Sequence, residues 1–414
     1  MPIIKLKQNE LIRVFGPASI NVKLGVIDVY RKKFETGESF IIHKLRSCVI
    51  QSITDSELEI NLGSEASLAQ LDDRDSYMNW LETLSKILDS KPKSIIVIGN
   101  VDSGKSTFSI MIANDALNKG LKPAVIDSDV GQADIGPPCF ITMSYPDYQV
   151  IWMREYKAVH YKFIGDNKPQ YKIDEIIYAV KELMNRAVND NRNIVVVDTD
   201  GWIGDENAIV YKYKLITSIK PDILVVIGRE LQDMFSKLEK IGVKVYTIDP
   251  PQYRRTRNRE ERKLLRRDKY REYLENGKLV KISFDNLIVL NNPLFNTTPV
   301  ETPVQLSDRI LFISRGLGKL YVVSKTSLSN EEIEFLKNTY GVSHIRIYNE
   351  NYFENILVAL SNGTIDYPAL LVKVDFRNRE LLLKTKFSND FKLIKFSSIK
   401  LREDYVEEII EKED

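Results

Sequence analysis

The residues Gly99-Asn100-Val101-Asp102-Ser103-Gly104-Lys105-Ser106, followed by Thr107, fit the pattern G-x-x-x-x-G-K-[ST] without a gap. Such a loop wraps its backbone N–H groups around phosphate oxygens, and glycines allow the conformations this requires. The pattern lies directly after the apolar run Ser94-Ile95-Ile96-Val97-Ile98 and directly before the helical pattern Phe108 to Lys119. That context predicts a strand, a phosphate loop and a helix whose N-terminal dipole completes an anion site. Gly99, Asn100, Asp102, Ser103, Gly104, Lys105, Ser106 and Thr107 are therefore the predicted nucleotide-binding residues. Lys105 is expected on the β and γ phosphates, the Ser106 hydroxyl on Mg²⁺, and Thr107 on the α phosphate. The chemistry this points to is transfer of the terminal phosphoryl group of a nucleoside triphosphate with Mg²⁺.

Two acidic segments follow strand-like runs. In Asp127-Ser128-Asp129-Val130-Gly131-Gln132 the carboxylates sit at the C-terminal end of Pro123-Ala124-Val125-Ile126, where open α/β sheets bind ligands. Asp129 is the preferred catalytic and metal residue: it can hold water of the Mg²⁺ shell or take the proton of an attacking hydroxyl. Asp127 supports it or serves as a turn residue, and Gln132 is placed to orient water, metal or substrate. Asp198-Thr199-Asp200-Gly201-Trp202 ends the run Ile194 to Val197 and forms a second candidate acid site. Its Trp202 either clamps a nucleotide or base, or is an ordinary packed side chain.

A basic stretch runs from Arg254 to Arg271, interleaved with Tyr253, Tyr270 and Tyr273. It predicts a helix. Its charge suits a polyphosphate lid with an arginine finger or a groove for a nucleic-acid backbone. The third reading is a solvated helix laced with Glu260, Glu261, Asp268 and Glu272. The position of the stretch, directly after the α/β core, favours the first two.

These groups need a rigid frame. The continuous apolar runs at 94–98, 123–126, 194–197 and 223–227 belong in a parallel sheet covered on both faces. Helical patterns between them, such as Asp174 to Val188, argue for a doubly wound α/β domain. Before it, Leu11 to Leu62 reads as short strands, and Leu68 to Leu88 as a connector helix. After it, runs at 284–290, 309–313, 319–323 and 370–374 read as strands, with helical turns at 330–338. The expected division is 1–70, an N-terminal β domain; 71–281, the P-loop kinase domain with connector helix and arginine-rich lid; and 282–414, a C-terminal β-rich domain.

Composition sets limits. Across 414 residues, Lys plus Arg total 59 against 58 Asp plus Glu, so any positive surface must be local. Cys48 and Cys139 are too few for a disulfide framework and read as buried apolar residues. His43, His160 and His344 lack metal-ligand spacing. No run approaches the ~20 apolar residues a membrane span requires, so a soluble, cytoplasmic protein without membrane partners is expected. The acidic stretch Glu407 to Asp414 reads as a solvated tail.

Together, Gly99 to Thr107, the segment Asp127 to Gln132 followed by Pro137-Pro138, Thr199-Asp200-Gly201-Trp202 and the arginine-rich stretch resemble the polynucleotide 5′-hydroxyl kinase family. That family includes the RNA kinases of mRNA cleavage, tRNA splicing and ribosomal-RNA processing, and their archaeal relatives. The resemblance implies a P-loop kinase domain between β domains and a substrate of RNA, or DNA, with a free 5′-hydroxyl end. It also implies that Asp129 acts on that hydroxyl or its metal and that Thr199 and Trp202 clasp the substrate end. Lid arginines would stabilise transferred charge: Arg254, with Arg257, Arg259 or Arg262 as its partner. One alternative within the family is an ATP-bound, non-catalytic scaffold in RNA processing; intact Lys105, Ser106 and Asp129 argue against it. A GTP-driven switch is a further alternative, but no N-K-x-D element lies on a late strand.

Overall fold

A computed structural model describes residues 3–71, 76–252 and 256–409. The chain forms two compact units. The first comprises 1–136, 141–160 and 168–262, and the second 137–140, 161–167 and 263–414.

A seven-stranded sheet, all of whose residues except Phe140 and 161–163 belong to the first unit, comprises strands β1 (Ser94–Gly99), β2 (Pro123–Asp127), β3 (Phe140–Ser144), β4 (Ala158–Phe163), β5 (Ile194–Asp198), β6 (Ile223–Ile227) and β7 (Lys244–Ile248). Their order is β4-β3-β2-β5-β1-β6-β7. The strands from β2 to β7 in that order run parallel, and β3 pairs antiparallel with β2. Every residue of β2, β5 and β6 is buried, which explains why these strands read as unbroken apolar runs. The chain leaves β1 and returns at β2 with β5 between them, so three C-terminal strand ends lie side by side.

Helices α1 (Tyr77–Asp89), α2 (Lys105–Asn118), α3 (Ile173–Asn189) and α4 (Glu206–Ile219) accompany this sheet. Before it, residues 3–70 form a four-stranded and a five-stranded antiparallel sheet. Their buried residues, among them Val14, Ile20, Ile50 and Ile60, join one apolar cluster with Trp80 and Ile87 of α1 and Phe108 and Met111 of α2.

The second unit contains a sheet of six strands, extended by Glu407–Ile409, and a sheet of four strands whose apolar cluster takes in Leu336 of a helix at Asn330–Tyr340. Ser329 and Glu332 cap that helix reciprocally. The expected strand at 284–290 begins instead with a 3-10 turn, Phe284–Asn286, because the Ser283 hydroxyl accepts the Asp285 N–H; the strand proper is Ile288–Leu290. Glu407 is also no solvated tail residue. It lies in a strand, receives the Arg266 guanidinium and the Asn167 amide, and its side chain is 10% exposed. Residues 410–414 of the same acidic stretch lie outside the described residues.

The helix of the basic stretch, α5 (Arg259–Leu274), starts five residues later than the sequence pattern suggests. Arg254 and Tyr253 lie outside the described residues. Cys48 and Cys139 are free and buried, and burial pushes the Cys48 thiol up to about 12. Among the described residues no helix is long and apolar enough to cross a membrane.

Candidate active site

The phosphate loop joins β1 to α2. Gly104 has φ +100° and caps the helix, and a Cβ at this position would lie 2.5 Å from the Trp80 ring. Only glycine meets both demands. Trp80, from the connector helix, stacks edge-on against Phe108 at 5.4 Å and donates its indole N–H to the Asp249 carbonyl at 2.7 Å. At the other end of the loop, a Cβ on Gly99 would stand 2.8 Å from both the Ile227 carbonyl oxygen and the Ser103 Oγ. That hydroxyl is buried with no hydrogen-bond partner among the described residues. Lys105 is buried, and its ammonium donates to the Asn100 carbonyl at 2.7 Å. Burial lowers its pKa, against the pull of Asp198 and Asp129.

The carboxylate beside the loop hydroxyl is Asp198, not Asp129. The Ser106 Oγ donates to Asp198 Oδ2 at 2.7 Å and the Ser109 Oγ to Oδ1 at 3.2 Å. Register explains this arrangement: Asp198 ends β5 opposite Val97 of β1 on one side and Asp127 of β2 on the other. Burial pushes the Asp198 carboxyl up to about 7, against Lys105 and the Ser106 hydrogen bond.

The loop after β2 divides its two carboxylates. Asp127 is buried and accepts from the N–H groups of Asp129, Asp134 and Ile135, so it braces the turn. Asp129 accepts the N–H groups of Gly131 and Gln132 at 2.9 and 2.8 Å, both on Oδ1. Burial and the charge of Asp200 raise its pKa. The Gln132 amide donates to the Gly131 carbonyl at 2.9 Å.

In the loop after β5, Thr199 is buried and its hydroxyl donates to the Val97 carbonyl at 2.8 Å. Its hydroxyl proton thus braces β1, where a clasp on substrate was the expectation. Asp200 accepts the buried Lys212 ammonium at 2.9 Å, the Tyr211 hydroxyl at 2.9 Å and the Trp202 N–H at 2.9 Å. Trp202 stacks on Tyr211, with ring centroids 5.8 Å apart, and its indole N–H donates to Asp205. A Cβ on Gly201 would meet the Val101 backbone at 2.8 Å. This loop and the phosphate loop are therefore packed main chain to main chain.

A cavity of about 280 Å³ is lined by Lys105, Ser106, Thr107, Asp129, Gln132, Asp198, Thr199 and Trp202. Arg257 and Arg262 line it as well. Gly99, Asn100 and Ser103 shape the loop from behind; the Asn100 side chain donates to Glu230 at 3.0 Å. Sequence reasoning missed Asp198 as the partner of Ser106, although the run Ile194 to Val197 that carries it was legible. It also missed Arg46 and Arg154, which both pair with Asp134 on the cavity wall. Burial would raise the Asp134 pKa, but these guanidiniums outweigh it and hold the carboxyl far below its usual range. Nothing in local spacing announces them, since they come from distant segments.

Among the described residues no group of three or more His, Cys, Asp or Glu is arranged to hold a metal. A parallel sheet, a phosphate loop and a carboxylate on its serine define a P-loop nucleotide-binding domain.

The family model described as the mRNA cleavage and polyadenylation factor CLP1 P-loop matches residues 99–276. A polyribonucleotide 5′-hydroxyl-kinase of Methanocaldococcus jannaschii is 32% identical over 342 residues, covering 78% of this chain and 91% of the relative. Another, of Pyrococcus abyssi, is 28% identical, covering 76% and 89%. The solved structure of wild-type Clp1p in complex with Pcf11p shares the fold at a TM-score of 0.65 and 13% identity, covering 96% of this chain and 98% of that one. The chain belongs to the polyribonucleotide 5′-hydroxyl-kinase family.

Proposed function

We propose that this chain transfers the γ phosphate of ATP to the 5′-hydroxyl end of RNA. The observation that carries the reading is convergence: three adjacent strand ends bring Lys105, Ser106 with Asp198, Asp129 and Trp202 to the wall of one cavity. The phosphate-loop amides and Lys105 grip the triphosphate, and the α2 N-terminus adds its dipole. The Ser106 hydroxyl and Asp198 would hold Mg²⁺, which would supply positive charge against the triphosphate.

Asp129 is anchored through Oδ1 and takes the 5′-hydroxyl proton on its other oxygen. Burial and the Asp200 charge raise its pKa, which makes it a stronger base than a free carboxylate. The hydroxyl oxygen forms its bond to the γ phosphorus as the bond to the β-bridging oxygen breaks, and ADP leaves with that electron pair. Trp202 offers a ring face for the terminal base, worth about 1–3 kcal/mol. Gln132 orients the acceptor, and Arg257 and Arg262 face the transferred group, the role expected of Arg254 and its partner. The substrate end carries the specificity, so DNA ends are the comparison to make.

Incubation with γ-labelled ATP, Mg²⁺ and an RNA oligomer bearing a 5′-hydroxyl tests the proposal. Label should enter the RNA with the intact chain and be absent with Lys105→Ala. Equal label, or none from either, would overturn it.

A further inference from the structure

Asp102 occupies a position that the phosphate-loop pattern leaves open to any residue, yet a carboxylate there is costly. It places negative charge in a loop built to receive phosphates. Its backbone has φ +57°, a region non-glycine residues seldom enter, although aspartate tolerates it better than most. The side chain is nevertheless only 9% exposed. Its oxygens are directed at one segment, 155 residues further along. Oδ2 accepts the main-chain N–H of Arg257 at 3.0 Å and lies 3.4 Å from the Arg262 guanidinium, while Oδ1 lies 3.7 Å from that of Arg257.

We infer that Asp102 is a positioning residue for phosphoryl transfer: it fixes the Arg257 main chain and both guanidiniums beside the phosphate loop. The inference rests on the kinase reading above. Arginine stabilises a phosphoryl transition state only if it is already aimed at the place where charge develops, and a free arginine carries about 2 kcal/mol of rotamer entropy. A carboxylate within the phosphate loop removes that freedom in the frame of the phosphates themselves. One carboxylate against two guanidiniums also leaves a net positive charge, so the arrangement still attracts a triphosphate. The main-chain bond distinguishes this from a surface ion pair, because it sets where the arginine segment starts as well as where its side chains point.

The test compares Asp102→Ala, Asp102→Asn, Arg262→Gln and the Asp102→Ala/Arg262→Gln pair in steady-state transfer to an RNA 5′-hydroxyl, with thermal unfolding in parallel. Asp102→Ala should lower kcat by about 10- to 100-fold, with KM for ATP within about threefold, the signature of an interaction used in the transition state. Asp102→Asn, which still accepts the Arg257 N–H, should recover most of that loss. In the pair, Arg262→Gln should cost much less than it does alone. Unchanged or raised kcat in Asp102→Ala, or strictly additive losses, would overturn the inference. Should Asp102→Ala unfold, the same cycle run with Asp102→Gly, which the φ +57° backbone accommodates, decides. An inert parent chain would sink the kinase reading itself, a different result from an active parent indifferent to Asp102.

Discussion

At the scale of single residues, the site separates two acidic jobs that the sequence places on similar-looking segments. Asp198 stands 2.7 Å from the phosphate-loop serine, and Asp129 closes its own turn beside the cavity. Strand-end position was legible for both, but which one meets Ser106 depends on β5 lying between β1 and β2, a long-range pairing that no local pattern encodes. The raised pKa of Asp198, about 7, has a defined consequence. The folded state keeps a proton that the unfolded chain releases from about pH 4, so stability falls as pH rises through the window from about 4 to 7 and levels above it. Denaturant unfolding of the ligand-free protein should show this slope, and Asp198→Asn should flatten it. An unchanged slope would mean that Asp198 titrates normally.

At the scale of elements, glycines mark where loops touch. Gly104→Ala would drive a Cβ into Trp80 from a left-handed backbone, a strain of about 1–3 kcal/mol. ATP binding measured by calorimetry should drop at least tenfold. Behind the Trp202 loop, Lys212→Met would leave the buried Asp200 carboxylate unpaired, and such losses cost about 3–5 kcal/mol. Chemical denaturation should show a shift of that order. The loop glycines, α2 and α3 were readable from pattern. Strands β3, β4 and β7 were not, because β7 is only partly buried and breaks the apolar run, and β3 and β4 follow loops that no spacing rule ties to the sheet. The segment at 284–290 failed differently: a serine cap turned the start of the expected strand into a 3-10 turn.

At the scale of the molecule, near-neutral net charge hides a cavity lined, within the first unit, by Arg13 and Arg46 from the N-terminal region and Arg257 and Arg262 from the basic stretch. The β sheets of residues 3–70 share one apolar cluster with α1 and α2, so their removal would strip the phosphate-loop helix of its packing. A chain beginning at residue 76 should lose cooperative unfolding, and a sharp transition at the full-length midpoint would contradict this. The account stands most directly on the division of labour between the two carboxylates, which Mg²⁺-dependent ATP binding measured beside single-turnover transfer can resolve. Asp198→Asn should weaken Mg²⁺-dependent ATP binding, whereas Asp129→Asn should bind ATP normally and slow transfer by about 10²- to 10⁴-fold. The reverse pattern, or normal transfer by Asp129→Asn, would contradict it.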